Sequence, residues 1–191
     1  MATTYCSLGG NCAVTHNIIH YKKRETAYPF DWCSLSVNKL ILALFSNFLE
    51  FDSLTFKKFS PNHLHIKESL SNRNKGSLII QNKYKIKFAH ELKTEKEMDS
   101  FSEKLKERIE RFKLLKSPTF VRLELENLSK EKMESSYLEL EGHLKKYFGD
   151  DFKIILISKH KYESTYSKWI ELDDFSEDWT YPNVKWGNIF V

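Results

Sequence analysis

The chain has 191 residues, of which 41% are hydrophobic, 29% are charged and 14% are aromatic. This composition excludes an intrinsically disordered chain and predicts a single folded domain with its own hydrophobic core. The formal net charge is +4, from 30 basic and 26 acidic residues. Lysines and glutamates are interleaved in stretches such as KLKERIERFK, which is typical of an ion-paired helix surface and does not favour nucleic-acid binding.

Targeting and cysteine signals predict a cytoplasmic protein. No apolar run reaches the ~18–20 residues of a membrane span, and MATTYCSLGG has no basic segment followed by an apolar one, so neither a membrane anchor nor a secretory signal is expected. The three cysteines form no CxxC pair and no zinc spacing, which fits a reducing compartment. His16 with His20, and His63 with His65, are pairs without a closed ligand set, so no metal or other cofactor is expected.

The hydrophobic period predicts the elements of the first half of the chain. A strand is expected at Thr3–Leu8, a helix from Cys12 to Lys22 and a strongly apolar helix at Val37–Leu49. Asp52–Gly76 is polar and is predicted to be a loop with room for one short helix. The strands SLII and KYKIKFAH then form a pair joined at Gln81–Lys83, and apolar residues alternate with lysines in the second of them.

The second half alternates between helices and strands. An amphipathic helix has its apolar stripe between Met98 and Phe112 and ends before Pro118. The strand TFVRLEL follows, then a helix at Lys130–Phe148 that ends at Gly149, then a buried strand at Lys153–Ser158. This alternation predicts an α/β fold in which residues 1–191 form one domain, with a central mixed or mostly parallel sheet flanked by helices.

The stretch SLGGNCAVTHNIIH places Cys12 after a strand and a tight glycine turn, at the start of the first predicted helix. Unpaired N–H groups and the positive end of the helix dipole favour a thiolate there, which is one way to build a nucleophile. The alternative is a small cysteine that only fills space in a βα turn. A phosphatase loop is excluded because Ile18, not arginine, stands six positions later. A redox role stays open, since Cys6 lies on the preceding strand and Cys33 in the turn PFDWCS.

A nucleophilic cysteine needs a base, which is most often histidine. His90, in KFAHEL, stands at the exit of a predicted strand, where a rigid element would hold it. If that strand continues regularly, His90 lies on the same apolar side as Phe88. The alternative is an ordinary hydrogen-bonded histidine at a strand end. His16 and His20 share a helix face with Cys12, but that face is expected to pack on the sheet.

Four further residues are candidates for supporting roles. Asp31, in YPFDW, either caps backbone N–H groups in an Asx-type turn, orients the histidine or anchors the cysteine loop. Asn11 either caps the helix or, with Gly10 in the same turn, helps the Cys12 N–H to stabilise an oxyanion. Arg122 shares a strand face with Glu124, and an internal ion pair is the simpler interpretation.

The order of these landmarks resembles that of a known family. SLGGNC, YPFDW, FAH and FVR look like the corresponding stretches of the DUF1796 proteins of bacteria and large DNA viruses, which are described as papain-like cysteine peptidases. The resemblance implies that Cys12 is the nucleophile and His90 the base. Papain-like enzymes also place an Asn or Asp after the histidine to hold its ring. Glu91 and Leu92 follow here, so Glu124, Asn127 and Asp31 are the candidate orienting residues.

The sequence therefore supports two functions from different classes. The first is a cysteine hydrolase or acyltransferase that acts on an amide, ester or thioester carbonyl, with a protein or peptide as the implied substrate. The second is a catalytically inactive α/β module that binds a protein partner, in which Cys12 and His90 would not approach each other.

Overall fold

Two four-stranded sheets and four helices make up the part of the chain that the computed structural model describes, residues 3–60 and 77–190. The helices are α1 (Cys12–His20), α2 (Val37–Phe45), α3 (Met98–Lys113) and α4 (Lys130–Phe148). The strands are β1 (Tyr5–Ser7), β2 (Cys33–Ser34), β3 (Leu54–Ser60), β4 (Ser77–Asn82), β5 (Lys87–Leu92), β6 (Thr119–Leu123), β7 (Lys153–Ser158) and β8 (Ser167–Glu171).

The first sheet is parallel, in the order β1–β6–β7–β8. Successive residues of β6 point into different hydrophobic clusters: Phe120 packs with side chains of α2, α3 and α4, and Val121 packs with Ala13 and Val14 of α1. Both faces are therefore covered by apolar side chains, as is usual for a parallel sheet. The predicted α/β fold with helices around a largely parallel sheet is confirmed. Strand β8 had not been predicted, because SKWIE has little apolar alternation.

The second sheet is antiparallel, in the order β2–β5–β4–β3. The predicted pairing of β4 with β5 is confirmed. The predicted loop is wrong for Leu54–Ser60, which forms β3 and pairs along the whole of β4. The sequence LTFKKFS predicts a loop because its lysines mask the strand pattern, whereas the hydrogen bonds to β4 decide its conformation. Residues 61–76 of that segment, with His63 and His65, lie outside the described residues.

Helix boundaries follow the predictions closely where a turn residue ends the helix. Helix α4 ends at Phe148, as Gly149 indicated. Helix α2 ends at Phe45, earlier than the predicted Leu49, because Asn47 and Phe48 adopt positive φ angles of 52° and 61°. This turn directs Phe48 back into a cluster of phenylalanine rings, and burying such a ring contributes about 1.5–3 kcal/mol. Within the described ranges, no helix is both long and apolar enough to cross a bilayer.

Candidate active site

A glycine turn positions Cys12 at the end of the parallel sheet. After β1, the Leu8 N–H still bonds to the Val121 carbonyl of β6. The chain then turns through Gly9 and Gly10, whose φ angles are +73° and +89°. A Cβ on Gly10 would lie 2.0 Å from the Leu123 carbonyl oxygen, so only glycine lets the turn approach β6 this closely. Cys12 is then the first residue of α1, as predicted.

We expect Gly10→Ala to lower the free energy of unfolding by about 2–4 kcal/mol, because it adds positive-φ strain to a clash with backbone. Gly142→Ala is the matched control: Gly142 is exposed inside α4, with nothing within 4 Å of its ideal Cβ. That change should raise stability by about 0.5–1 kcal/mol. Urea denaturation of both variants measures the difference, and equal effects would show that the turn tolerates a side chain.

A bulge in β5 brings His90 out of the predicted alternation. Leu78 of β4 pairs with Leu92 of β5, and Ile80 of β4 pairs with Phe88 of β5. Between these two pairs β4 has one residue and β5 has three. The intervening part of β5, which contains His90, therefore faces Ile79 alone. Phe88 stays fully buried, whereas His90 is partly exposed. The prediction that His90 lies on the same apolar side as Phe88 required a regular strand, and this strand is not regular here. Bulges often redirect side chains in this way beside active sites.

Cys12 and His90 line one cavity of about 370 Å³. Trp32, at the end of the YPFDW turn, contacts His90 edge to face with ring centroids 5.8 Å apart. The other described residues around the cavity are Ser34, Lys57, Lys58, Ile79, Lys87 and Ala89. Among the described residues, no hydrogen bond joins the Cys12 sulfur to His90. In enzymes without substrate, such catalytic contacts are often long and shorten only in the complex.

The Cys12 sulfur is held as a neutral thiol. Burial raises its pKa to about 12; its own backbone N–H acts in the opposite direction, and the Glu91 carboxylate raises the pKa further. Glu91 is itself held by Arg108, with its two oxygens 2.7 and 3.2 Å from the guanidinium nitrogens. The expectation that the helix start yields a thiolate is therefore not met in this conformation. Loss of hydration destabilises the thiolate by more than the helix N-terminus stabilises it.

We expect alkylation of Cys12 by iodoacetamide to be slow near pH 7 and to accelerate about tenfold per pH unit from there to about pH 11, past the pH at which an ordinary thiol levels off. The reason is that thiolate is the reactive form, and its fraction grows tenfold per unit below a pKa of about 12. Peptide mapping separates Cys12 from Cys6 and Cys33, and glutathione in the same sample gives the profile of an ordinary thiol. A rate that levels off below about pH 8 would contradict the raised pKa.

Asp31 and Thr15 fix the turn that carries Trp32. The Asp31 carboxylate accepts hydrogen bonds from Arg24 at 2.9 Å, from the Tyr28 N–H at 3.0 Å and from the Thr15 hydroxyl at 3.3 Å. Thr15, one turn after Cys12 on α1, also accepts the Trp32 N–H at 3.2 Å. The bond from the Tyr28 N–H shows that Asp31 caps a backbone group; its orienting of the histidine and its anchoring of the cysteine loop stay predictions. Asp31 does not line the cavity of Cys12 and His90.

Arg122, on β6, links the parallel sheet to the residue that precedes the glycine turn. Its side chain is fully buried and forms an ion pair with Glu124, with Nη2 2.8 Å from a carboxylate oxygen. It also donates to the Leu8 carbonyl at 2.9 Å and to the Leu35 carbonyl at 3.3 Å. The internal ion pair expected from the sequence is confirmed. Because Leu8 immediately precedes the two glycines, Arg122 supports the cysteine loop without touching Cys12.

The remaining predicted residues divide between capping and solvent. Asn11 caps α1, since its side-chain oxygen accepts the Ala13 N–H at 3.0 Å. Asn127 is exposed in the loop after β6 and is not among the residues that line the cavity.

Cys6 and Cys33 are fully buried, and burial raises the pKa of both thiols well above the ordinary value. Neutral buried thiols are poor partners for disulfide exchange, so the contacts give a redox role no support.

No set of three or more His, Cys, Asp and Glu side chains within residues 3–60 and 77–190 is arranged to hold a metal ion. Sequence reasoning missed Trp32, Lys57, Lys58 and Lys87 as residues of the cavity. Trp32 belongs to the YPFDW motif and was within reach of that reasoning. The three lysines carried no signal, because lysine is abundant along the whole chain.

Comparison with protein families identifies the group to which this arrangement belongs. A family model described as "Putative papain-like cysteine peptidase (DUF1796)" matches residues 3–162. The chain belongs to this family. The DUF1796 match includes the glycine turn, Cys12, the YPFDW turn and His90, and it ends before β8; the extension of one domain over residues 1–191 stays a prediction. No curated protein and no solved structure matches the chain.

Proposed function

We propose that this DUF1796 protein is a cytoplasmic cysteine hydrolase or acyltransferase that acts on amide, ester or thioester carbonyls of proteins or peptides. The observation that carries the proposal is the cavity shared by Cys12, at the first position of α1, and His90, redirected by the β5 bulge. A nucleophile at a helix start that shares a cavity with a histidine is an arrangement suited to covalent catalysis. Three free cysteines fit the reducing cytoplasm.

In the first half of the reaction, His90 accepts the thiol proton as the Cys12 sulfur attacks the carbonyl carbon. A carbon–sulfur bond forms, and the carbonyl oxygen becomes an oxyanion. The Cys12 backbone N–H, one of the unpaired donors at the start of α1, donates to that oxygen. The Asn11 side-chain nitrogen is a second donor within the same turn, because its oxygen is occupied by the Ala13 N–H. Collapse breaks the bond to the leaving group, which takes the proton from His90, and leaves a thioester on Cys12.

In the second half, His90 removes a proton from an acceptor that attacks the thioester. The carbon–sulfur bond then breaks, and the leaving Cys12 sulfur takes the proton from His90 and is a thiol again. If the acceptor is water, the product is a carboxylic acid and the enzyme is a hydrolase. If it is an amine, alcohol or thiol, the acyl group is transferred. Because the free sulfur is a thiol with a raised pKa, proton transfer accompanies its attack in the first half and its departure in the second, as in serine enzymes. Activity should therefore depend on His90 even though the cysteine is not ionised beforehand.

The test is to trap the thioester on Cys12. We expect intact-mass spectrometry after brief exposure to a peptide thioester to show one added acyl group, which peptide mapping places on Cys12. Hydroxylamine should remove the acyl group, since it cleaves thioesters. Cys33→Ser is the matched control, because Cys33 is buried and does not line the cavity. Equal acylation of wild type and Cys12→Ser would exclude Cys12 as the nucleophile.

A catalytically inactive module that binds a protein partner is the second candidate function. The raised pKa of Cys12 favours it, because a thiol that stays neutral is inert unless a base acts on it. The two candidates differ in the trapping experiment: the module predicts that no acyl group accumulates on Cys12 with any thioester, whereas the enzyme predicts accumulation that requires His90.

A further inference from the structure

Two further cavities adjoin the cavity of Cys12 and His90, each through a different pair of shared lining residues. On one side, a cavity of about 500 Å³ shares Trp32 and His90 with it and continues towards Arg108. On the other side, a cavity of about 340 Å³ shares Ser34 and Lys87 with it. We call these three adjoining cavities the groove, and the cavity of Cys12 and His90 its middle. An elongated ligand lying along it would pass Cys12 with contacts on both sides, which is the geometry of a peptide binding site.

A second bulge brings two consecutive lysines into the middle of the groove. Phe56 of β3 pairs with Ile80 of β4, and Lys58 pairs with the next residue of β4, Ile79. Lys57 is therefore the extra residue of the bulge. In a regular strand Lys57 and Lys58 would point to opposite faces, but at a bulge neighbouring side chains share a face more closely. Both lysines line the cavity of Cys12. Lys87, on β5, lines it as well.

The positive charge of these three lysines is not balanced locally. Within residues 3–60 and 77–190, no carboxylate forms an ion pair with Lys57, Lys58 or Lys87, and none lines the middle of the groove. Four glutamates line the two flanking cavities, and two of them, Glu91 and Glu124, are paired with arginines. Other lysines of the protein are paired: Lys106 with Glu103 at 2.7 Å and Lys145 with Asp150 at 2.6 Å. Three ammonium groups around one concave site attract anions more strongly than the same charges spread over a convex surface.

We infer that the groove selects peptides with acidic side chains next to the reacting carbonyl. Carboxylates on the peptide would lie against Lys57, Lys58 and Lys87 and hold the carbonyl over Cys12. The inference rests on the proposed function for the identity of the reacting group, but the selection of acidic peptides is a property of binding. Electrostatic selection of this kind acts on encounter and orientation, and it weakens as salt screens the charges.

The test measures binding without turnover. Short fluorescent peptides of one length, with glutamate, glutamine, lysine or phosphoserine at the same positions, are titrated into the Cys12→Ala protein and followed by anisotropy. We expect the glutamate peptide to bind about tenfold more tightly than the glutamine peptide at low salt. The preference for the glutamate peptide should shrink in high salt, in the single variant Lys87→Gln and in the double variant Lys58→Gln/Lys87→Gln. Lys85→Gln is the matched control, because it removes one charge from the same β4–β5 hairpin outside the groove.

The outcomes separate this inference from the proposed function. Equal binding of the glutamate and glutamine peptides overturns it, even if Cys12 still forms a thioester. A loss in Lys85→Gln as large as in Lys87→Gln alone overturns it too, because the effect would then come from overall charge. Tighter binding of a single-stranded oligonucleotide than of any peptide assigns the lysines to nucleic acid instead. Selective binding of the glutamate peptide without acylation of Cys12 supports the inference and removes the proposed function. Stronger binding of phosphoserine than of glutamate supports the inference and makes phosphate the preferred acidic group.

Discussion

Replacement of Cys12 with alanine will reduce the rate of acyl transfer to that of buffer, and replacement of His90 with alanine will reduce it by about 10²–10⁴-fold. The double variant will be no slower than Cys12→Ala alone, because the base has no role once the nucleophile is gone. The free energy of unfolding of Cys12→Ala will change by no more than about 1–2 kcal/mol, since the change removes a single atom, the buried sulfur, from a residue that is partly exposed as a whole. Acyl transfer to a peptide thioester and urea denaturation measure the two quantities.

His16→Ala is the control for this pair. His16 lies one turn after Cys12 on α1 and packs against Trp179, with ring centroids 5.0 Å apart, away from the cavity. Its replacement should leave the acyl-transfer rate within about twofold of wild type. A Cys12→Ala protein that loses several kcal/mol of stability would instead identify Cys12 as a packing residue, and a His90→Ala protein with full activity would exclude His90 as the base.

Replacement of Arg122 with methionine will lower the free energy of unfolding by about 3–5 kcal/mol, which is the usual cost of breaking one partner of a buried ion pair. Glu124, now 3% exposed, would then be left without a cation, and its carboxylate would keep only neutral donors, the Tyr137 hydroxyl at 2.9 Å and the Glu126 N–H at 3.0 Å. The carbonyls of Leu8 and Leu35 would lose their donors as well. Urea denaturation gives the change in stability.

Arg111→Met provides the comparison, because the Arg111 guanidinium is partly exposed and lies 3.5 Å from Glu107. Pairs of this kind contribute about 0–1 kcal/mol. Adding Glu124→Gln to Arg122→Met should recover part of the loss, since the buried charge is removed with its partner. If Arg122→Met costs less than about 1 kcal/mol, the ion pair does not hold the glycine turn in place. If stability falls as expected, acylation of Cys12 should fall with it, because the turn before α1 loosens.

The raised pKa of Cys12 changes how this site should be studied. Iodoacetamide reports thiolate, and the buried sulfur is expected to react slowly whether or not the protein is an enzyme. An acyl donor that occupies the groove tests the pair directly, because it places a carbonyl where His90 can act on the thiol during attack. The trapping experiment is therefore more informative here than a pH profile of alkylation.

The prediction of local elements from sequence worked where one residue decided the outcome. Asn11 supplies the cap and Cys12 the first turn of α1, and Gly149 ends α4, because capping depends on backbone groups within a few residues. Prediction failed at β3, where pairing with β4 outweighed a polar composition. It also failed at the end of α2, where the phenylalanine core drew Phe48 out of the helical register.

By itself, the sequence determined the α/β fold, the DUF1796 family, the position of Cys12 at a helix start and the buried pair of Arg122 with Glu124. All of these depend on periodicity, on motifs or on residues two positions apart. Only the tertiary structure decided that His90 and Cys12 share a cavity and that Lys57 and Lys58 face it together. Both results come from bulges opposite Ile79. A bulge depends on how one strand is paired with another, and no local pattern in either strand records that pairing.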